Sequence, residues 1–301
     1  MRKDNGINIP VNALTDVYAA TYAQVIMEKK VPLEARELLP KITNIDGMDI
    51  SSRTVTAVKY FTEGKALITD LRANTLPVMN ARAMKETWDL KWIGIAVRTD
   101  VNERDDIANG KVIPVNKITE AARVIAETEN EFLLNGFNKL GADGINEITS
   151  ASGIHIVAAT KPWTTATGEE IVGDIANMYK AMTTGKLYKA KTLAIPEELN
   201  FLINSKVYTD ISGKTIDSAL TVKEVLDKRG YYTNYKPVIG IKAPLLLDDE
   251  PENFGFVAVQ DISVGETYMN GRTEETPIEE KISEFMLLQS MSIVKLEGAT
   301  V

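Results

Sequence analysis

Carboxylates are the most abundant groups in this chain that could do chemistry, and three clusters bring them close together in sequence. Asp248, Asp249 and Glu250 are contiguous, Glu279 precedes Glu280, and Glu127, Glu129 and Glu131 alternate. Two neighbouring carboxyls can divide into an acid and a base, or can hold a divalent cation. No catalytic motif surrounds the first two clusters, which read as solvated turns. The three glutamates of 127–131 sit in a helical pattern, where residues two apart point to different faces, so they are not expected to converge. The single histidine, His155, lies between Ile154 and Ile156 and reads as a packed or edge residue. One histidine excludes an HExxH zinc site, and a Ser-His-Asp triad would have to recruit His155 without a GxSxG elbow. None of the 19 glycines forms a GxGxxG or Walker sequence. The absence of cysteine excludes thiolate catalysis, iron–sulfur clusters, cysteine zinc sites and disulfides. Trp88 and Trp92 share one face if their segment is a strand; they could stack a ligand, and burial in a core or interface suits them as well. The sequence therefore assigns no catalytic, cofactor-binding or metal-binding residue.

The elements that would position these groups are legible from periodicity. Residues 1–12 form a polar arm, and Leu14, Val17, Tyr18, Thr21, Val25 and Ile26 predict a helix over 13–29. EARELL, between Pro32 and Pro40, predicts one helical turn or two. SSRTVTAVKYFT (51–62) and ETWDLKWIGIAVRTDV read as two strands joined through a proline-containing connection, a long β-hairpin. Residues 99–111 are a polar loop. Residues 115–135 predict a long amphipathic helix, with Ile118, Ala121, Ala122, Ile125, Ala126, Phe132 and Leu133 on one face. Glu120, Arg123, Glu127 and Glu131 take the other face, and Gly136 supplies the stop. A glycine-rich connection covers 136–155. A helix is expected over 169–183, a short buried strand at KTLAIP, and a helix at PEELNFLIN with Pro196 in its first position. TVKEVLDKRG is a helix capped by Thr221 and stopped by Gly230. VIGIKAPLLL and FGFVAVQDI are strands. Residues 280–297 suit a strand pair better than a helix, because Ile282, Phe285, Leu287, Met291, Ile293 and Val294 keep no 3.6-residue period. A sheet assembled from such distant strands makes the class α+β.

The chain has 301 residues with 34 basic and 42 acidic side chains, a formal net charge of −8. That balance argues against a dominant phosphate-binding role. No apolar run reaches the ~18 residues of a membrane span, so no membrane association is expected.

The stretch AARVIAETENEFLLNGFNKLGADGINEI (121–148) resembles the spine helix and following loop of the major capsid proteins of tailed viruses and of the related encapsulins. The likeness rests on Ala121, Ala122, Ala126 and Glu129, then Asn135-Gly136, then Gly144-Ile145. GKALITDLRANTLPVMNAR resembles the first arm of that family's extended loop, and FGFVAVQDISVGETY its late strands. The resemblance implies the Hong Kong 97-type capsid fold. Its parts would be an N-terminal arm with a docking helix over 1–48, an extended loop over 50–98, and a peripheral domain with the spine helix over 99–165. An axial domain would follow over 166–245, with late strands over 246–301.

The implied function is a structural major capsid protein, located in the virion, that assembles with copies of itself as hexamers and pentamers into an icosahedral shell around double-stranded DNA. Leu14, Val17, Tyr18, Leu76, Val78, Trp88 and Trp92 would be assembly contacts. Partners would include separate scaffold, portal and decoration proteins, with packaged DNA held by weak non-specific contact and no cofactor. The chain enters the arm soon after Met1, so no maturation cleavage of a long N-terminal segment is expected. Lys85 and Lys91 lie in the extended loop without a recognisable crosslinking partner, so an uncrosslinked shell is expected. Two other readings remain open on sequence: an encapsulin compartment holding a cargo enzyme, and a carboxylate-dependent hydrolase.

Overall fold

The alternation around Trp88 and Trp92 continues into one uninterrupted strand of 21 residues. The computed structural model describes residues 34–43, 48–63, 80–100, 102–103, 109, 115–184, 188–208 and 220–300. Strand β1 is Thr54–Glu63 and β2 is Asn80–Asp100. The first half of β2 pairs antiparallel with β1, from Asn80 opposite Glu63 to Asp89 opposite Thr54. Its second half pairs with β10 (Thr273–Ser283), from Leu90 opposite Ser283 to Asp100 opposite Thr273. The expected hairpin is present, and its second strand is built into the body. Strand β8 (Ala258–Val264) flanks β10, and the short β9 (Tyr268–Asn270) also pairs with it.

A second sheet has the order β3-β12-β6-β4-β5, formed by His155–Ala158, Ile293–Glu297, Leu245–Leu247, Thr192–Pro196 and Asn234–Val238. The β3–β12 and β4–β5 pairs are parallel and the other two are antiparallel. Phe254–Gly255 (β7) and Met286–Leu287 (β11) make a small separate pair.

Helix α2 (Val115–Asn135) has the bounds its periodicity predicts. Ile118, Ala121 and Ile125 pack on Ile278 of β10, with Ile93, Val97, Ile262 and Val264 alongside. Phe132, Leu133 and Leu134 enter a larger core with Leu38, Leu39, Ile145, Leu245, Phe254 and Ile293. The last helical carbonyls are satisfied by the returning chain: Gly136 N–H donates to Phe132, Ile145 to Leu133 and Asn146 to Leu134. This return requires glycine twice. Gly136 has φ +67, and a Cβ there would collide with the Ala142 carbonyl and the Gly144 nitrogen. A Cβ on Gly144 would collide with Gly136 and the Leu134 backbone.

Helix α1 is Glu34–Leu38 and α3 is Gly168–Thr183. Helix α4 is Glu197–Ser205 and α5 is Val222–Arg229. Thr167 with Glu170, and Thr221 with Glu224, form reciprocal capping boxes at the starts of α3 and α5, and Gly230 ends α5 in the left-handed region. Helices α3, α4 and α5 cover the second sheet over a core of Trp163, Ile171, Ile175, Leu193, Leu226 and Leu246.

Four expectations need correction. FGFVAVQDI is not one strand: β7 ends at Gly255 and β8 begins at Ala258, and the two belong to different sheets. Pro196 closes β4 and is the N-cap of α4 rather than its first residue. VIGIKAPLLL is not one strand: β5 ends at Val238, and the chain turns before β6 begins at Leu245. The strands of 280–297 do not pair with each other, since β10 joins the first sheet and β12 the second. Ser283 explains the departure. Its amide donates to the Val257 carbonyl and its hydroxyl accepts from the Val257 amide, which ends the ladder. The expected helix over 13–29, with Leu14, Val17 and Tyr18, lies outside the described residues, as do Leu76 and Val78.

The glycine geometry makes a graded prediction. Gly136→Ala and Gly144→Ala should each destabilise the chain by more than ~2 kcal/mol, because backbone cannot yield easily. Gly141 also has positive φ (+67) but faces open space, so Gly141→Ala should cost only about 1 kcal/mol. Denaturation midpoints of the three variants give the order.

Candidate functional site

On the N-terminal side of Leu90 the hairpin leaves the body as a two-stranded ribbon of β1 and Asn80–Asp89, and no third strand pairs with it among the described residues. Such a ribbon is only marginally stable alone. Strand alternation puts Met84, Trp88, Leu90 and Trp92 on one face of β2. Trp88 and Leu90 close a small core at the ribbon base with Ile42, Val55, Val257 and Met286. Trp92 is 49% exposed, with the Lys281 ammonium 4.9 Å from its ring centre, and Met84 is 53% exposed. Lys281 also donates to the Ile50 carbonyl at 2.6 Å, which fixes the cation under the ring. The two tryptophans thus share a face as expected but take different roles. Four strand residues separate them by about 13 Å, too far to sandwich one ring.

A groove of about 460 Å³ runs beside the ribbon base, lined by Glu86, Trp88, Asp143, Glu284 and Phe285 among others. Burial holds the Glu284 carboxyl above its ordinary range, and one of its oxygens accepts from the Asp89 amide at 3.2 Å. Among the described residues no group of three or more histidines or carboxylates is arranged to hold a metal ion.

The carboxylates that do converge come one from the helical set not expected to converge and one from a pair read as solvated. Glu129 lies one helical turn beyond Ile125, on the buried stripe of α2, and Glu280 lies between Ile278 and Ile282 on the side of β10 that faces α2. Both side chains are fully buried. Arg36 of α1 bridges them: Nε donates to Glu129 Oε1 at 2.6 Å and Nη2 donates to Glu280 Oε1. Its Nη1 reaches Asp261 Oδ1 of β8 at 3.1 Å, and Lys41 Nζ binds the same carboxylate at 3.0 Å. The guanidinium also lies 5.7 Å from the Phe256 ring centre. Among the described residues Glu129 Oε2 and Glu280 Oε2 are buried without a hydrogen-bond partner.

Burial is the main cause of the electrostatics here. It raises the Glu129 carboxyl above its ordinary range against the pull of Arg36. It lifts Glu280 to about 8, with repulsion from Glu129 adding to the effect. Asp261 is burdened by partial burial, yet Lys41 and Arg36 bring it below the usual carboxylate range.

The reading of adjacent carboxylates as solvated is corrected for Glu280 and also for Asp248, which is buried, accepts from the Lys189 amide and pairs with Lys191 at 3.1 Å. Glu127 and Glu131 are exposed, as a spacing of two requires. The sequence did carry a signal for Glu129, which occupies an apolar-stripe position four residues after Ile125. Its partners, 93 and 151 residues away (129 − 36 and 280 − 129), left no local trace. His155 is a half-buried residue of β3 at the edge of the second sheet, as read.

With this geometry in hand, comparison places the chain among known proteins. A family model described as encapsulating protein for peroxidase matches residues 70–283. Similar solved structures include the capsid of Myoviridae phage XM1, with TM-score 0.66 and 12% identity over 85% of this chain and 88% of that one. A virus-like particle from Pyrococcus furiosus gives TM-score 0.59 and 18% identity over 92% and 97%. A chain of Mycobacterium phage Bobi gives TM-score 0.57 and 12% identity over 87% and 89%. No curated protein matches the sequence.

The bridged cluster predicts an asymmetric response to substitution. Arg36→Met should cost about 3–5 kcal/mol at neutral pH, because it leaves two buried carboxyls without their cation. Lys41→Ala, at an exposed pair, should cost less than ~1 kcal/mol. Urea unfolding of both variants beside the parent measures the difference.

Proposed function

Because the chain belongs to the family described as encapsulating protein for peroxidase and has the Hong Kong 97-type capsid fold, we propose that it is a structural shell protein. Copies of it assemble as hexamers and pentamers into a closed icosahedral particle, as the major capsid protein of a tailed virus or prophage does around double-stranded DNA. The observation that carries this reading is the ribbon of β1 and the first half of β2. It projects apolar residues away from the body, and no part of the described chain covers its outer reach. A second copy is the natural cover, since burying apolar surface returns about 25 cal/mol per Å² at every repeat of the contact.

On this reading residues 50–98 are the extended loop, 99–165 the peripheral domain with its spine helix and 166–245 the axial domain. Residues 1–48 form an arm that docks through Leu14, Val17 and Tyr18. Leu76, Val78 and Trp92 face neighbours, while Trp88 contributes by stiffening the ribbon base. The role is structural and calls for no catalytic residue. Scaffold, portal and decoration proteins would be separate chains.

The family match favours a second reading within the same fold, an encapsulin compartment that holds a cargo enzyme. Both readings need the same shell and differ in its contents.

Negative-stain electron microscopy with light scattering on the purified protein tests the shell. Closed particles tens of nanometres across are expected, with nucleic acid inside for a capsid and protein inside for a compartment. A chain that stays monomeric or dimeric even with scaffold and portal present would overturn the proposal. At single-residue level, Trp92→Ala should change stability by about 1 kcal/mol or less, the scale of one exposed cation–π contact. It should nevertheless raise the concentration needed for assembly by roughly tenfold, equivalent to ~1.4 kcal/mol per contact.

A further inference from the structure

The cluster around Arg36 contains an accounting problem that the shell reading does not address. Each of Glu129 and Glu280 gives one oxygen to the guanidinium and leaves the other buried with no donor. The two carboxyls are close enough to hydrogen-bond to each other, yet as carboxylates both are acceptors only. One hydrogen between them would satisfy both.

The charge count points the same way. Among the described residues the charged groups facing the pair are Arg36 and Lys41 from the α1 segment and Asp261 from β8. Lys41 balances Asp261, so Arg36 alone is left to balance the pair. Two ionised glutamates would leave one surplus negative charge on side chains that are themselves buried from solvent, a costly state. One proton makes the cluster neutral.

We propose that Glu129 and Glu280 share a single proton and, with Arg36, form a proton-dependent latch that holds residues 34–42 against the spine helix and the first sheet. The segment has other ties: the Ala35 amide donates to Asn130 Oδ1 at 2.8 Å, the Ile42 amide donates to the Phe256 carbonyl at 2.8 Å, and Leu38 and Leu39 are buried. Losing the proton therefore loosens this segment locally and leaves the rest of the fold in place. Because residues 34–42 join the N-terminal 33 residues to the body, the latch sets how firmly that arm is anchored at a given pH.

The sign follows from the direction of the shift. A carboxyl raised above its unfolded value holds its proton in the closed state and releases it on opening. The closed state is therefore favoured most below the ordinary carboxylate pKa and loses that advantage as pH rises towards the raised value, about 8 for Glu280. Across this window the opening equilibrium should rise about tenfold per pH unit and level off above it, since one proton leaves per opening.

Native-state hydrogen exchange on the full chain, corrected for the intrinsic pH dependence of amide exchange, reads this at the Leu39 and Ile42 amides. The expected result is that tenfold slope in the parent and a flat profile in Glu280→Gln and Glu129→Gln, whose remaining carboxylate is ionised beside Arg36. Asp261→Asn should keep the slope. A pH-independent parent, Gln variants that keep the parental slope, or an Asp261→Asn variant that loses it would overturn the latch. Infrared spectroscopy of the parent keeps the idea testable should the Gln variants not fold. A protonated carboxyl band at neutral pH is expected, and its absence would end the proposal. None of these readouts depends on particle formation, so they stand or fall separately from the shell reading.

Discussion

Burial of one face of α2 is the constraint on which the rest of this structure depends. Ile118 and Ile125 seat the helix on the first sheet, and Phe132 and Leu133 carry it into the core that backs the second. At about 1.5–3 kcal/mol for each such side chain, these four contribute on the order of 6–12 kcal/mol, comparable with the whole net stability of a typical domain. Strand β2 lies under the first half of the helix and continues as the ribbon. The direction in which the ribbon leaves the body is therefore inherited from the packing of α2 on the sheet.

The same stripe holds Glu129, where an apolar residue would have packed without cost. A buried charged triad is weak evidence of stability, since hydrophobic replacements are often neutral or better. What it supplies here is mutual recognition between segments far apart in sequence. Arg36, Glu129, Asp261 and Glu280 come from four separate elements, and only one arrangement of α1 satisfies them together.

Local signals were strong where one segment decided its own structure. Helix α2 and the cap and stop of α5, Thr221 and Gly230, follow from side chains within a few residues of each other. The hairpin was legible because β-branched alternation ran through both arms. Legibility failed where a distant partner decided. Nothing near Ser283 in sequence reveals that Val257 will take its amide and hydroxyl and divert the chain from one sheet to the other. Glu280 read as half of a solvated pair because alternation says that one of two neighbours points inward, without saying which. Its position between Ile278 and Ile282 identifies the inward one once the strand is placed. The turn at 239–244 was missed for a related reason, since VIGIKAPLLL is apolar on both sides of its break and only the parallel partner β4 fixes where β5 ends.

The ribbon also bears on how a chain without cysteine could be durable. An open strand edge with an apolar face is normally a hazard, which natural proteins blunt or cover. Here β1 leaves one edge without a strand partner among the described residues, and Met84 and Trp92 stay exposed on the adjoining strand. Such a surface is tolerable in a chain whose working state supplies the cover, and wasteful in a monomer. Meanwhile the ribbon base is stiffened by Trp88, Leu90 and Val55, and Trp92 is backed by Lys281, which is tied to Ile50. Stiffness at the base lowers the entropy lost when the ribbon docks, so more of the buried area appears as association free energy. Exposed apolar side chains such as Met84, carried on a fixed base, are what a joining element needs, and a disulfide is not required to make the join strong when the contact is repeated around a closed shell.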